Sequence, residues 1–207
     1  GLEQFPTFFN YEDDVGEINA TSFNSQQTID IRSALGKISD YINVTFIEVP
    51  EIGNKVGTLR FGINTITDEA GTHRPGIVAT ADPPNIEPRG GDVWFNKNFS
   101  ASNFGAGLVL GSQTGAGDLA VLYHEVFHAL GLEHPNDNNT VLFHDDKNSR
   151  EYTVMAGEFL QDDATHYRVG ELNYTVISTP MVYDIVALQY LYGANNNFNS
   201  ENTTYTF

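Results

Sequence analysis

The chain has 207 residues, of which 40% are apolar, 12% aromatic and 18% charged, so it can bury one hydrophobic core and is not a wholly disordered chain. Ten Lys and Arg against 27 Asp and Glu give a formal net charge of −17, which repels phosphate backbones and anionic lipid and excludes nucleic acid as an expected partner. No apolar run reaches the roughly 18 residues of a membrane span, and zero cysteines leave only histidines and carboxylates to bind a metal.

One helical pattern and four strand-like runs occupy the first half of the chain. Between Ser22 and Ile42, apolar residues recur with a helical period, which predicts a surface helix with Ile31, Leu35, Ile38 and Ile42 on its inner face. Short runs rich in β-branched and aromatic residues follow, and loops with Gly and Pro separate them. We therefore predict strands of one sheet at Val44–Val49, Thr58–Asn64, Ile77–Ala81 and Asp92–Asn96.

Two more helices are predicted in the second half. Residues 98–117 are rich in Gly, Ser and Ala but contain no phosphate-binding motif, so we interpret them as a connection. A helix from Asp118 to about Leu130 is apolar on nearly every side, which is typical of a buried helix. The last helix is predicted to have Thr179 as N-cap, Pro180 at its first position and Gly193 beyond its end, with an inward stripe of Ile185, Leu188 and Leu191.

Residues 124–134 read His-Glu-Val-Phe-His-Ala-Leu-Gly-Leu-Glu-His. Residues four apart lie on one face of a helix, so His124 and His128 can reach one ion. Glu125 lies about 100° round the helix from His124, where it can bond a water on that ion and act as a base. Gly131 permits the left-handed turn that returns His134 to the same ion. Three neutral imidazoles and one open position are typical of catalytic zinc, so we predict one Zn²⁺ at this site.

The pattern His-Glu-x-x-His-x-x-Gly-x-x-His resembles that of the metzincin zinc proteases, and Pro135 after the third His resembles the serralysin branch of secreted bacterial proteases. Residues 149–155, Ser-Arg-Glu-Tyr-Thr-Val-Met, are similar to that branch's approach to the Met-turn, which implies that Met155 lies beneath the zinc site. Residues Thr179-Pro180, Asp184-Ile185 and 191–195 look like the family's closing helix, so the resemblance extends from about Ser22 to Asn195.

The resemblance implies an α+β fold of metzincin type, with a twisted mixed five-stranded sheet, an active-site helix, and a smaller irregular C-terminal lobe that ends in a helix. Residues 1–207 would form a single protease domain, with an N-terminal lobe over about 1–134, a C-terminal lobe over about 135–195 and a linker from about 196. It also implies an antiparallel edge strand that pairs with bound substrate. The run we place there is Ile77, Val78, Ala79, Thr80 and Ala81.

The activity implied by the resemblance is hydrolysis of peptide bonds in extracellular proteins, with zinc-activated water and Glu125 as base and then acid. We expect a secreted monomer that acts on proteins or peptides and has no membrane partner. Gly157 stands where the family carries a Tyr, and loss of a typical oxyanion donor costs about 10²–10³ in rate. A zinc-binding scaffold with weakened catalysis is therefore one alternative, and a narrow-specificity processing peptidase is another.

Several polar features remain unassigned. No Gly-Gly-x-Gly-x-Asp repeat is found, so we hypothesise that the calcium-binding β-roll of serralysins is missing from this form. The acidic residues of the second half could bind Ca²⁺, but they show no regular ligand spacing, and a solvated loop is the favoured interpretation of Asp137, Asp145, Asp146, Asp162 and Asp163. We expect ordinary exposed side chains at the remaining histidines, His73, His144 and His166.

Overall fold

The computed structural model describes residues 23–50, 57–67, 72, 74, 77–87, 89–96, 116–136, 147–156 and 179–202. Within these ranges the chain forms three helices and three strands, in the order α1 (Ser25–Tyr41), β1 (Arg60–Asn64), β2 (Ala79–Ala81), β3 (Asp92–Asn96), α2 (Ala116–Ala129) and α3 (Val182–Tyr192). None of these helices combines the length and the apolar character that a membrane crossing requires. The three unassigned histidines, the acidic cluster and Gly157 all lie outside the described residues.

Helix α1 begins with a capping box. The side chain of Asn24 accepts a hydrogen bond from the backbone N–H of Gln27 at 2.9 Å, and the side chain of Gln27 accepts one from the N–H of Asn24 at 2.8 Å. These two bonds satisfy donors that a helix start otherwise leaves unpaired. The predicted inner face is confirmed, because Ile31 and Ile38 are fully buried.

The three strands form one mixed sheet in the order β1-β3-β2. Strand β3 is central, parallel to β1 and antiparallel to β2, with Arg60 opposite Asp92 and Ala79 opposite Phe95. The prediction of a mixed sheet is confirmed, although three of the five expected strands are found in the described part of the chain. Among the described residues, strand β2 pairs with β3 alone, in the antiparallel direction, and it begins at Ala79 instead of Ile77.

The predicted strand at Val44–Val49 is wrong, because these residues belong to no strand. Their side chains do alternate: Val44 and Phe46 pack against the core, whereas Ile47 is 77% exposed. Alternation reports only which side chains face the core, while a strand also needs a neighbour that supplies backbone hydrogen bonds. No described strand pairs with this run, so it covers the core without extending the sheet.

The start of α3 also differs from the prediction. The N-cap is Met181, not Thr179, and the first helical residue is Val182, not Pro180. The carboxylate of Asp184 accepts a hydrogen bond from the N–H of Met181 at 2.8 Å. The helix start is therefore satisfied by an acidic residue inside the first turn, where a negative charge also suits the helix dipole. Gly193, at φ 81°, ends the helix as predicted.

The inner face of α3 combines a polar and an apolar residue. Asp184 and Leu188 are 1% and 2% exposed, whereas Leu191, which the sequence pattern placed on the inner stripe, is 50% exposed. Residues four apart share a helix face, so the buried line runs from Asp184 through Leu188 to the half-buried Tyr192. The prediction for Leu191 was wrong because the pattern counted apolar residues and omitted a buried carboxylate.

The core lies between α1, the sheet and α2, and α2 packs against α1, β2 and β3. Two hydrogen bonds connect the end of α3 to the end of α1. The backbone N–H of Asn43 donates to the backbone carbonyl of Gly193 at 2.9 Å, and the side-chain amide of Gln189 donates to the backbone carbonyl of Tyr41 at 2.9 Å. The closing helix is thus fixed to the first helix of the fold. The largest fully buried apolar side chains include Ile31, Ile38, Val93, Leu122, Val126, Phe127, Met155 and Leu188.

Candidate metal centre

Helix α2 carries the first part of the site. It starts two residues before the predicted Asp118 and ends at Ala129. Leu122, Val126 and Phe127 are completely buried, so packing fixes the rotation of the helix about its axis. The histidine face points into a cavity below the sheet edge, and a buried helix therefore holds two of the predicted ligands and the predicted base.

The turn after α2 brings in the third histidine. Gly131 has φ 99°, its N–H donates to the carbonyl of His128 at 2.9 Å, and the N–H of Leu132 donates to the carbonyl of Phe127 at 2.8 Å. These two bonds define a Schellman motif, whose left-handed residue is normally glycine. The predicted role of Gly131 is confirmed, since the chain reverses here before it reaches His134.

Three imidazole nitrogens converge at the end of this turn. The Nε2 atoms of His124 and His128 are 3.1 Å apart, and the Nε2 atom of His134 lies 3.1 Å from the first and 3.0 Å from the second. A point about 2 Å from all three atoms lies about 1 Å outside their plane, and about 2.0–2.1 Å is the usual Zn–N distance. The triangle therefore has the right size for one zinc ion.

The other ring nitrogens set the tautomers. Nδ1 of His124 lies 2.8 Å from the carbonyl oxygen of Val154, and Nδ1 of His128 lies 2.8 Å from that of Leu132. A carbonyl oxygen only accepts, so each Nδ1 carries the proton and each Nε2 keeps its lone pair. Lone pairs about 3 Å apart repel each other unless a cation lies between them. The donor set therefore fits a metal, and it has the outer carbonyl partners that orient metal-binding histidines.

Burial shifts the pKa values of two groups in opposite directions. Desolvation lowers the pKa of His124 to about 4, so its ring is neutral at pH 7, as a metal ligand must be. Desolvation also raises the pKa of Glu125 to about 8. A nearby cation favours the ionised carboxylate, so a bound metal opposes this shift and each charge stabilises the other.

A chain of hydrogen bonds connects His124 to Asp184 on α3 through Val154, and the sequence analysis did not detect it. Asp184 accepts hydrogen bonds from the hydroxyl of Thr153 and, at 3.0 Å, from the N–H of Val154. The carbonyl of the same Val154 accepts from His124, so the carboxylate on α3 is two contacts away from the metal centre. Burial raises the pKa of Asp184, and its hydrogen bonds oppose that shift. The sequence contains one indication of this contact: a carboxylate on the inner face of an apolar helix needs hydrogen-bond partners when it is buried.

Met155 is 2% exposed and follows Val154 directly. Its backbone N–H donates to the hydroxyl of Thr153 at 3.0 Å. The residue is therefore buried in the segment that contacts His124, while its role in supporting zinc remains a prediction. Tyr152 stacks on Tyr183 with 5.5 Å between ring centroids, and it is not among the residues that line the cavity at the histidines.

A cavity of about 480 Å³ opens beside the three histidines and Glu125. All five residues predicted to bind substrate, Ile77, Val78, Ala79, Thr80 and Ala81, line it. The structure thus brings the predicted strand and the predicted base to one cavity. Arg150 also lines it, although the sequence pattern gave no reason to select this residue.

Two histidines one helical turn apart, a third after a glycine turn, and an acidic residue in a cleft below a sheet edge are the features of a metalloprotease site. Comparison with known families agrees: the profile of the matrixins, Peptidase_M10, matches residues 14–168. The chain therefore belongs to the matrixin family of zinc metalloproteases, and its resemblance to serralysin-like metzincins is confirmed.

The similar proteins include several serralysins. Serralysin of Proteus mirabilis is 31% identical over 220 residues, which cover 98% of this chain and 42% of that protein. Serralysin A of Dickeya chrysanthemi is 31% identical over 204 residues, with 93% and 38% covered. Metallopeptidase AprA of Pseudomonas marginalis is 30% identical over 198 residues, with 90% and 38% covered. The chain thus spans about 40% of the length of these relatives.

Proposed function

We propose that this chain is a zinc-dependent endopeptidase that hydrolyses peptide bonds in extracellular proteins. The observation that carries the proposal is the triangle of Nε2 atoms, 3.0–3.1 Å on each side, next to Glu125 in a cleft bounded by a sheet edge. His124, His128 and His134 would hold one Zn²⁺. Bound there, the ion would make water nucleophilic near pH 7 and polarise the scissile carbonyl.

Glu125 would move the proton. Glu125 is 7% exposed and lines the cavity at the histidines, and burial makes its carboxylate a better proton acceptor than that of an exposed glutamate. It would take a proton from the attacking water and pass it to the leaving amine. Because the other polar side chains that line the cavity are three histidines, a threonine and an arginine, Glu125 is the carboxylate in this lining that can perform both transfers.

Strand β2 would position the substrate. In the described part of the chain it pairs with β3 alone, and its residues line the cavity, which supports its assignment as an edge strand open to substrate. An extended peptide can pair with the backbone of such an edge as an additional strand. Backbone pairing carries little sequence information, which favours broad substrate tolerance. We place the enzyme outside the cell and expect it to act as a monomer.

The alternatives differ in what the site does after it binds zinc. Gly157, in place of the family Tyr, favours a scaffold that binds zinc and turns over slowly. The deciding experiment measures the zinc content of the protein and its cleavage of a peptide library, with and without a chelator. We expect cleavage at many sequences that stops with the chelator and returns with zinc. Zinc without cleavage would identify the scaffold, and cleavage at one motif would identify a processing peptidase.

A further inference from the structure

The peptide group between Leu130 and Gly131 determines the direction in which the chain leaves α2. Its orientation depends on the backbone angles of these two residues, and φ of Gly131 has the left-handed value of 99°. The N–H of this peptide group donates to the carbonyl of His128 at 2.9 Å. Leu132, whose carbonyl oxygen lies 2.8 Å from Nδ1 of His128, and the third predicted ligand, His134, follow it in the chain. A rotation of this peptide group would therefore displace one zinc ligand and the partner of another.

The carbonyl of the same peptide group needs a donor from another part of the fold. The last carbonyls of a helix have no partner within it, and the two bonds of the Schellman motif satisfy those of Phe127 and His128. Leu130 is buried, and a buried carbonyl without a donor would destabilise the turn. In the described part of the chain its donor is the hydroxyl of Tyr192, at 2.7 Å. Helix α3 thus completes the hydrogen bonding at the end of α2.

The hydroxyl can hold this peptide group because Tyr192 is itself fixed to other parts of the fold. Its half-buried ring packs against the core. The carbonyl of Gly193 accepts a hydrogen bond from the N–H of Asn43 at 2.9 Å, and the side chain of Asn195 donates to the carbonyl of Ser39 at 2.7 Å. Burial raises the pKa of Tyr192, so the hydroxyl keeps its proton at neutral pH and remains a donor. The donor is therefore anchored to α1 independently of the turn that it contacts.

We propose that Tyr192 is a positioning residue of the metal centre: its hydroxyl holds the peptide group before Gly131 and so fixes the turn that brings His134 to the ion. The same turn carries the carbonyl that orients His128. Tyr192 is not among the described residues that line the cavity at the histidines, so it acts through the turn and not on the substrate. The proposal rests on the proposed function, since it assumes that the three histidines bind zinc.

The test compares Tyr192→Phe with the parent in the full chain. This substitution removes the hydroxyl and keeps the ring, so the packing against the core is preserved. The matched control is Tyr190→Phe, which removes a hydroxyl from the same helix at a side chain that is 89% exposed. Circular dichroism and unfolding in urea establish conditions in which all three proteins are folded. Under these conditions, competition with a chelator of known affinity gives the zinc affinity of each protein, and the visible absorption spectrum of Co²⁺ bound in place of zinc reports the arrangement of the metal ligands.

We expect Tyr192→Phe to weaken zinc binding by about 3–10-fold. This is less than the effect of removing a direct hydrogen-bond partner of a metal-binding histidine, because the hydroxyl acts one contact further from the ion. The Co²⁺ spectrum of Tyr192→Phe should differ from that of the parent, since the third imidazole is held less firmly in place. Tyr190→Phe should leave both the zinc affinity and the spectrum unchanged.

An unchanged zinc affinity or an unchanged Co²⁺ spectrum in Tyr192→Phe would overturn the assignment, even if the variant unfolds at a lower urea concentration, because the hydroxyl would then only stabilise the fold. Equal effects of Tyr190→Phe and Tyr192→Phe would also overturn it. A parent that binds neither metal would refute the proposed function together with the role of Tyr192. A parent that binds zinc without cleaving peptides would refute the proposed endopeptidase alone, and the zinc affinities would still decide the role of Tyr192.

Discussion

Substitution of Gly131 by Ala tests how the turn after α2 builds the metal centre. Gly131 has φ 99°, and a Cβ placed there would meet its nearest atom, Cγ of Pro84, at 3.7 Å, which is an ordinary contact. Space is therefore available, and the cost is backbone strain of about 1–2 kcal/mol for an L-residue in the left-handed region. The chain can relieve this strain only by opening the turn, which would move His134 away from the other two rings.

The matched control is Gly36→Ala. Gly36 lies inside α1, and no atom lies within 4 Å of the position that a Cβ would take there, so Ala should stabilise the helix by about 0.5–1 kcal/mol. Unfolding in urea, with zinc removed by a chelator, gives the free energy of unfolding of each variant. Competition with a chelator of known affinity gives the zinc affinity of each variant. We expect Gly131→Ala to lower stability and weaken zinc binding, and Gly36→Ala to leave zinc binding unchanged. Equal stability and equal zinc affinity for both variants would refute the role of the turn.

Three further predictions concern the same centre. Asp184→Asn replaces one of the two acceptor oxygens by an NH₂ donor, so either the hydroxyl of Thr153 or the N–H of Val154 loses its acceptor. This should lower the free energy of unfolding in urea by about 2 kcal/mol or more and weaken zinc binding by about 10–100-fold, whereas Asp30→Asn, which affects a hydrogen bond with Gln26 on the outside of α1, should do neither. The pKa of His124 is depressed to about 4, so the free energy of unfolding of the zinc-free protein should be highest above about pH 6.5 and should fall by up to about 3 kcal/mol as the pH falls toward 4. In His124→Gln the free energy of unfolding should fall by about 3 kcal/mol less over the same pH range. An identical pH dependence in both proteins would contradict the depressed pKa. Removal of zinc should lower the melting temperature, and zinc at about 100 times its Kd should raise the free energy of unfolding of the zinc-free protein by about 2.7 kcal/mol. An unchanged melting temperature would show that the centre does not bind zinc in the folded state.

The zinc motif was readable from sequence because its geometry is local. Helical spacing fixes the relation between His124 and His128, and a single glycine fixes the turn that leads to His134. These constraints act within eleven consecutive residues, so neither the sheet nor α3 was needed to predict them. The assignment of Ile77–Ala81 to an edge strand came from the family resemblance instead, because no local pattern states which strand is outermost.

What the sequence did not reveal depends on contacts between distant residues. Asp184 and Val154 are 30 positions apart, and only the packing of α3 brings them together. Arg150 lines the cavity at the histidines because the segment that contains Val154 contacts His124. The failed predictions have the same cause: Val44–Val49 has the alternation of a strand without a partner strand, and Leu191 has the spacing of a core residue on the exposed side of the helix.

The central claim is that Glu125 performs proton transfer at a zinc ion held by the three histidines. The most direct measurement compares kcat/KM for an internally quenched peptide between the zinc-loaded parent and Glu125→Gln, with the zinc content of both determined. Glutamine has nearly the same shape, so we expect it to retain one zinc per chain and to lose about 10²–10⁴ in rate, which is the usual contribution of general acid–base catalysis. Full hydrolysis by the zinc-loaded Glu125→Gln protein would contradict the claim.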